Sequence, residues 1–471
     1  MRNMLQPVNK LPPEVLSRVA ECSLDEDAYD ARSIVPLTHV CQYWRESIIS
    51  APENWTLVSN DRMQLAKLSL VRAKAAHLRI YLRMELARDL PNFLNFFIPH
   101  LKNTETLTTP SIPGFEELVE LFSKFPRPMP NLRSLTLGLD DIDGSDPSID
   151  PFESLPHTLE GLNLDDISLS PSLLKLRALT DLTLHNRKFN LSLDTLLDFL
   201  EGNSLLKSAD LRIDFIEPSL RRSRRQTAIR NQLQLLRITC FEITDGKALI
   251  SSIALSKGAE LEVNCHRYDA ARIGVIDILS GISTTHLSNL SSPSFMEYRA
   301  GTTRKVQLFG PNGTASFYTE SASYSPFEEF PRLPLTNILR FHLDTKEWKL
   351  LQPLPGHRVF HHLSSFPTLE TLTIGRETDL SRLLSPLLSK PSSSPSLKTL
   401  AFLNCDVSED FMEELARFAS NRRNTTSAWL HQILIVHRNG KFPSASSIHK
   451  LRRIVKVVEI RMDDELPRDL T

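Results

Sequence analysis

Cysteine is scarce in this 471-residue chain: Cys22, Cys41, Cys240, Cys265 and Cys405 are scattered, with no CxxC pair. That excludes a disulfide scaffold, and no spacing matches a zinc site. An excess of one charge is missing too. Lys and Arg number 55 against 56 Asp and Glu, for a formal net charge of -1, so no global field favours nucleic acid or a membrane surface. Long apolar runs are lacking. The most apolar region, from Leu90 to Leu101, is interrupted by Pro91 and Pro99, and nothing reaches the length of a membrane-spanning helix. The opening Met1-Arg2-Asn3-Met4-Leu5-Gln6 lacks the apolar core of a secretory leader. A reducing cytoplasmic or nuclear setting is expected, in which sequons such as Asn312-Gly313-Thr314 are chance matches.

Motifs of bond chemistry are also lacking. There is no P-loop, no GxGxxG after a strand, no HExxH and no GxSxG, so neither enzyme activity nor a cofactor is expected. His357, His361 and His362 have i, i+4 spacing but no carboxylate or cysteine close by, and read as surface histidines rather than a metal site. Asp140-Asp141 and Asp165-Asp166 directly follow apolar alternations, where turns favour Asp for its local backbone hydrogen bonds. The run Arg221-Arg222-Ser223-Arg224-Arg225 reads as a solvated loop, with an import signal or phosphate patch as the functional alternative.

What is present is ordinary globular material. Hydrophobic residues make up 41% and charged residues 24%, enough to bury a continuous core. The length exceeds one ordinary domain, unless a single repeat array accounts for it.

The first sixty residues read as short helices. In Leu11-Pro12-Pro13-Glu14-Val15-Leu16-Ser17-Arg18-Val19 the prolines sit in the first helical turn, and Val15, Leu16 and Val19 form one apolar stripe. An acidic loop, Asp25 to Asp30, precedes a second helix with Ser33 as N-cap and Pro36 in its first turn. Leu37, Val40, Cys41, Trp44 and Ile48 then recur at a helical period. Ala51-Pro52 ends this helix, and Trp55 is positioned to fold back on it. So small a unit encloses little core by itself. Its stripe either seals the end of the downstream domain or docks a partner, and pattern alone leaves both open.

The residues carry a resemblance. Leu11-Pro12-Pro13-Glu14-Val15-Leu16, then Val40-Cys41-Gln42-Tyr43-Trp44-Arg45, then Pro52-Glu53-Asn54-Trp55 resemble the F-box family in identity and order. The resemblance covers 9–58; the link between its helices is longer and more acidic than the short leucine-rich connection of compact members. It implies docking on the Skp adaptor of a Skp–cullin–F-box ubiquitin ligase. The implied adaptor face is Leu11, Pro12, Val15, Leu16, Val19, Leu37, Val40, Cys41, Trp44 and Ile48, some of which must serve the internal core, with Trp44 and Trp55 foremost.

From Asn131 onward Leu-x-x-Leu-x-Leu recurs, at Leu132/Leu135/Leu137, Leu159/Leu162/Leu164 and Leu179/Leu182/Leu184. Further copies are Leu233/Leu236/Ile238, Leu369/Leu372/Ile374 and Leu397/Leu400/Phe402, with Leu206/Ala209/Leu211 degenerate. Weaker copies lie at Ile338/Phe341/Leu343, Leu430/Ile433/Ile435 and Val455/Val458/Ile460. The steps of 20, 27 and 28 residues are similar to those of leucine-rich repeats. Each copy predicts a short strand, and each intervening segment a helix, as at 194–200, at Phe115/Leu118/Phe122/Phe125, and after a capping box at Asp406-Val407-Ser408-Glu409. Only Cys405 occupies the Asn/Cys place that follows the strand in regular members of that family. Leu65, Leu68 and Val71 suggest a further helix and 78–82 a strand; no Gly/Ser-rich linker separates them from the opening helices.

The expected fold is therefore α/β: an F-box-like helical module over 9–58, then an irregular, curved leucine-rich repeat solenoid of strand–helix units over 59–471. Residues 239–337 break the rhythm, and 306–318 read as a β-hairpin turning at Asn312-Gly313; it either decorates the solenoid or adds to a binding surface. The expected function is that of a non-catalytic substrate receptor; the rival is an interaction scaffold whose helices only cap the repeats. For an unknown client protein the outward strand positions Thr136, Asn163, Thr183, Asp210, Arg212, Arg237 and Thr373 are candidates. Membrane and nucleic-acid partners are not expected.

Overall fold

The computed structural model describes residues 10–23, 31–84, 90–125, 129–140, 150–153, 155–186, 191–213, 216–217, 232–240, 249–250, 252–253, 259–265, 295–299, 304–310, 313–319, 338–344, 366–375, 380–381, 384, 387, 394–405, 407–425, 429–437 and 443–462. The chain divides into two compact units, Met1–Ser219 and Leu220–Thr471. Both mix helices with a largely parallel sheet. The loop at Asp25 to Asp30, the arginine run at Arg221 to Arg225 and the histidines at 357, 361 and 362 lie outside the described residues.

The first unit opens with helices α1 (Pro13–Cys22), α2 (Ile34–Leu37) and α3 (Gln42–Ser50), followed by a 3-10 turn at Pro52–Trp55. The single second helix expected from the sequence is thus two. Cys41 is extended, with φ -161° and ψ 173°, and breaks the helical period between Leu37 and Trp44. Ser33 is itself helical and makes no side-chain cap. Strand β1 (Leu57–Ser59) follows at once and pairs in parallel with β2 (Leu78–Tyr81). The expected boundary after residue 58 therefore falls inside a sheet strand. The ladder runs on in parallel through β3 (Thr104–Ile112), β4 (Ser134–Leu139), β5 (Gly161–Asp165), β6 (Asp181–Asn186) and β8 (Ser208–Ile213). Two short strands, β7 (Leu191–Ser192) and β9 (Ile216–Glu217), pair separately.

The repeat spacing maps onto a recurring hydrogen-bond pattern. The N–H of the first leucine donates to the carbonyl three residues back, Leu132 to Met129 and Leu159 to Pro156, and in the second unit Leu369 to Phe366 and Leu397 to Ser394. The carbonyl just before several of the strands then accepts two N–H groups from the next copy. The Arg133 carbonyl takes Glu160 and Gly161, both at 2.8 Å; the Glu370 carbonyl takes Lys398 at 2.8 Å and Thr399 at 2.9 Å. Tight turns are thereby satisfied by the neighbouring copy, as buried backbone requires. Alternation sends the other two leucines to one face. Leu107, Leu135, Leu162, Leu182 and Ala209 share one register column, and Leu137, Leu164, Leu184 and Leu211 the next. All nine are at most 3% exposed, each leucine contributing about 1.5–3 kcal/mol of burial.

Helices α4 (Met63–Ala73), α5 (Leu90–Phe97), α6 (Phe115–Ser123) and α7 (Leu193–Gly202) fill several crossovers. Not every crossover has one. Residues 166–180, between β5 and β6, hold only a 3-10 turn at Leu173–Lys175, because a 20-residue step leaves no length for a helix. The helix expected at Leu65, Leu68 and Val71 is α4: Ala66, Ser69, Leu70 and Ala73 form its buried face, whereas Leu68 and Val71 are exposed. Small residues let this helix lie close to β1, which a search for leucines does not detect.

The second unit contains β10 (Leu235–Cys240), β11 (Glu260–Cys265), β12 (Phe295–Arg299), β13 (Arg304–Gly310), β14 (Gly313–Thr319), β15 (Arg340–Asp344), β16 (Thr371–Gly375), β17 (Thr399–Leu403), β18 (Gln432–His437) and β19 (Val457–Met462). Their spatial order is β10-β11-β14-β13-β12-β15-β16-β17-β18-β19; only β13 runs antiparallel to its neighbours among the described strands. The irregular region thus lies within the sheet rather than decorating it. The Gly310–Gly313 pairing makes Gly313 a strand residue rather than part of the expected turn; Pro311 and Asn312 lie outside the described residues.

Helices α8 (Glu409–Thr425) and α9 (Ala445–Arg452) carry the last crossovers. Ser408 caps α8: its Oγ accepts the Phe411 N–H at 3.1 Å; Asp406, which opens the expected capping box, lies outside the described residues. Glu409 reaches instead to Ser444 and Ser447. Cys405 is buried and its Sγ donates to the Ile374 carbonyl at 3.3 Å, tying one copy to the previous one. Arg422 is wholly buried and donates to the carbonyls of Ser394, Pro395 and Leu397 at 2.7, 3.1 and 2.8 Å, clamping α8 to the turn before β17.

Candidate functional site

The helical module is sewn together from within. Ser17 Oγ donates to Asn54 Oδ1 at 3.1 Å, Trp55 Nε1 to the Ile48 carbonyl at 3.0 Å, and the Tyr43 hydroxyl to the Leu11 carbonyl at 2.7 Å. Trp55 is 1% exposed, and the Arg72 guanidinium lies 4.3 Å from its ring centroid. Asn60 continues the join into the sheet, its side chain bonding both the N–H and the carbonyl of Arg83 at 2.7 and 2.8 Å.

This packing divides the ten expected adaptor-face residues. Leu16, Trp44 and Ile48 are sealed inside the module and offer nothing to a partner. Leu11, Leu37 and Cys41 are half-buried, and Pro12 is exposed. Val15, Val19 and Val40 stand 41%, 40% and 48% exposed. The single stripe read on α1 therefore splits: Leu16 and Ala20 face inward, Val15 and Val19 outward, as a one-residue offset of about 100° on a helix demands.

The client candidates separate similarly. Thr136, Asn163, Thr183 and Asp210 occupy one register column across β4, β5, β6 and β8. Tyr81 and Thr108 extend it across β2 and β3, whereas Ser59 of β1 shares the column but is buried. Tyr81 and Thr108 were missed because the early strands lack the repeat spacing; simple alternation about Ile80 and Leu107 would have found them. Beside this row, Asp165, His185 and Arg212 form a second column, with His185 Nδ1 4.0 Å from Asp165 Oδ1. Gly138 completes that column, and a Cβ there would stand 2.2 Å from the Pro110 carbonyl oxygen, where β3 shifts register.

Arg237 and Thr373 belong to the second unit. Arg237 Nε donates to Glu262 Oε2 at 2.8 Å. Thr373 is only 6% exposed and is corrected: it is not an outward client contact. The positions in its row, Ala401 and Leu434, are buried and apolar, and cluster with Leu403 and Val436. Both faces of β17 and β18 are therefore buried, unlike the polar outer face of the first unit.

Of the turn aspartates, Asp140 accepts from the Ser111 hydroxyl, 29 residues earlier, and Asp141 lies outside the described residues. Asp166 has φ 55°, and its N–H donates to the His185 carbonyl at 2.6 Å; Asn404 repeats the arrangement after β17, with φ 56° and a 2.7 Å bond to the Val436 carbonyl. Asp150 organises the loop before β5. Burial pushes its carboxyl up, but hydrogen bonds from the Phe152 and Ser172 N–H groups and the Ser170 hydroxyl outweigh this and hold it below the usual carboxylate range. Among the described residues no group of three or more His, Cys, Asp or Glu is placed to hold a metal ion, and no helix is long and apolar enough to cross a membrane.

No family model matches the chain, and no curated protein matches it. Solved structures are similar to it, two of them as follows. One is the leucine-rich repeat-containing protein LegL7 of Legionella pneumophila, 12% identical, with a TM-score of 0.25, covering 66% of this chain and 95% of that one. The other is a Bacteroides fragilis protein, 11% identical, with a TM-score of 0.23, covering 76% and 75%. Likenesses this distant carry no functional argument.

Proposed function

We propose that this chain is a non-catalytic substrate receptor of a Skp–cullin–F-box ubiquitin ligase, an F-box-like helical module continuous with an irregular leucine-rich repeat solenoid. The observation that carries the reading is the outward valine set, Val15, Val19 and Val40, on helices whose other face is sealed by Leu16, Trp44 and Ile48. Desolvating exposed valines of this kind, with Pro12 and the half-buried Leu11 and Leu37 beside them, supplies several kcal/mol at about 25 cal/mol per Å². The Skp adaptor is the partner of that face. The polar row Thr136, Asn163, Thr183 and Asp210, with Arg212 beside it, receives the client. The chain needs no cofactor; its contribution to ubiquitin transfer is to hold the client near the conjugating enzyme, which is catalysis by position. Cytoplasm or nucleus is the matching compartment.

A co-purification with a Skp-type adaptor tests this. Wild type recovers the adaptor, and Val15→Asp with Val19→Asp lowers recovery at least about tenfold, since each places a carboxylate in an apolar contact. Unchanged recovery leaves the second reading, an interaction scaffold whose helices only cap the repeats. That reading is favoured by the seamless join through Trp55, Asn60 and β1.

A further inference from the structure

Between Leu415 and Met462 the sequence carries ten Lys or Arg and a single acidic residue, Glu459, in a chain of net charge -1. Topology gathers part of that charge. Because β17, β18 and β19 are parallel, each connecting helix runs back and ends where the next strand begins. The last turns of α8 and α9 thus lie at one edge of the sheet, beside the first residues of β18 and β19. Arg423 stands in the last turn of α8, Arg452 ends α9 and Arg453 is its C-cap. His431 and Lys456 immediately precede their strands, side by side, because the Val457 N–H donates to the His431 carbonyl at 3.0 Å. All five are exposed. Trp429, two residues before His431, is 56% exposed, and the Arg423 guanidinium lies 4.7 Å from its ring centroid.

Cations at helix C-termini offset the helix dipole, which accounts for Arg423, Arg452 and Arg453. It does not account for His431 and Lys456, which stand off the helices, nor for a large indole left in water. Tryptophan and arginine together are the side chains on which binding energy concentrates.

We propose that this edge docks an acidic protein segment, one with several Asp or Glu side chains flanking an apolar residue. The carboxylates meet Arg452, Arg453 and Lys456, and the apolar residue lies on Trp429. The neighbouring strands already pair such groups internally, Lys398 with Glu370 and Arg461 with Glu459. A single-stranded nucleic acid fits less well, since it calls for successive stacking platforms along a basic track. Trp429 is the one exposed large aromatic among the described residues. The inference rests on the second unit alone and stands whether or not the N-terminal helices bind an adaptor.

The test uses the full chain and fluorescence anisotropy with three labelled probes: a short Glu-rich peptide with one central Leu, the same peptide with every Glu replaced by Gln, and an oligouridine of equal length. The Glu peptide binds, weakens with added salt, and outcompetes the other two. Arg453→Glu with Lys456→Glu, and separately Trp429→Ala, each lower its affinity by about tenfold with the melting temperature unchanged. Should the double reversal unfold, Arg453→Gln with Lys456→Gln reads the same direction at about threefold, by loss of charge alone. Wild-type affinity in these variants, or tighter binding of the oligouridine or the Gln peptide, overturns the proposal.

Discussion

Gly138 and Arg422 show how much rests on single side chains. At Gly138 the opposing group is backbone, the Pro110 carbonyl, and cannot turn aside. Gly138→Ala is expected to cost about 1–3 kcal/mol, the usual range for overpacking, read as a lowered midpoint in chemical denaturation. Arg422→Ala removes the donor to three carbonyls before β17. Buried acceptors left without a partner make the loss on the order of 3 kcal/mol, and Arg422→Lys should recover only part, having no planar fork. Neither role was legible in the sequence. A glycine in a strand and an arginine in a basic run look like many others, because the groups they meet lie 25 to 28 residues away and are backbone.

Elements were legible where their period was long enough. Every Leu-x-x-Leu-x-Leu copy, including the weak ones at Ile338, Leu430 and Val455, coincides with a strand, since three apolar positions at fixed spacing specify both a turn and an alternating face. Faces were read less well. Val15 and Leu16 were placed on one stripe, but Leu16 is buried and Val15 exposed; Leu65, Leu68 and Val71 marked α4 without marking its packed face, Leu68 and Val71 being exposed. In both cases small residues, Ala20 and Ser17 or Ala66, Ser69 and Ala73, form the packed side, and small residues leave a weak apolar signal. The sequence offered a capping box at 406–409, and Ser408 within it caps α8, since Asp and Ser are both good N-caps and only geometry chooses. Ser408→Ala should cost about 1 kcal/mol, measured by thermal unfolding.

At the scale of the whole molecule, acid should act on both units. Burial pushes Asp150 in the first up, but hydrogen bonds from Phe152, Ser172 and Ser170 outweigh it and hold the carboxyl below the ordinary range. Glu409 in the second is lowered chiefly by the Ser447 hydroxyl and the Ser444 N–H. Carboxylates with depressed folded values contribute stability that is complete above their unfolded pKa, near 4, and is lost as pH falls through the folded value. Stability should therefore be flat from neutral pH down to about 5 and decline below it. Asp150→Asn should lower the neutral plateau and flatten part of the acid limb, and an unchanged limb would remove Asp150 from the account. Composition foretold none of this, because a balanced total charge conceals both the local carboxylate sites and the basic edge near β18 and β19.

The reversed strand β13 bears on how the second unit assembles. In an array whose copies bond only to their neighbours, order can spread from one copy to the next. That spreading stops at β11, whose partner is β14, the last of three strands laid down in reverse; β15 waits on β12, the first of them. The meander must close as a piece before growth from either side can meet, so this region, and not the regular copies, should set the pace at which the unit becomes native.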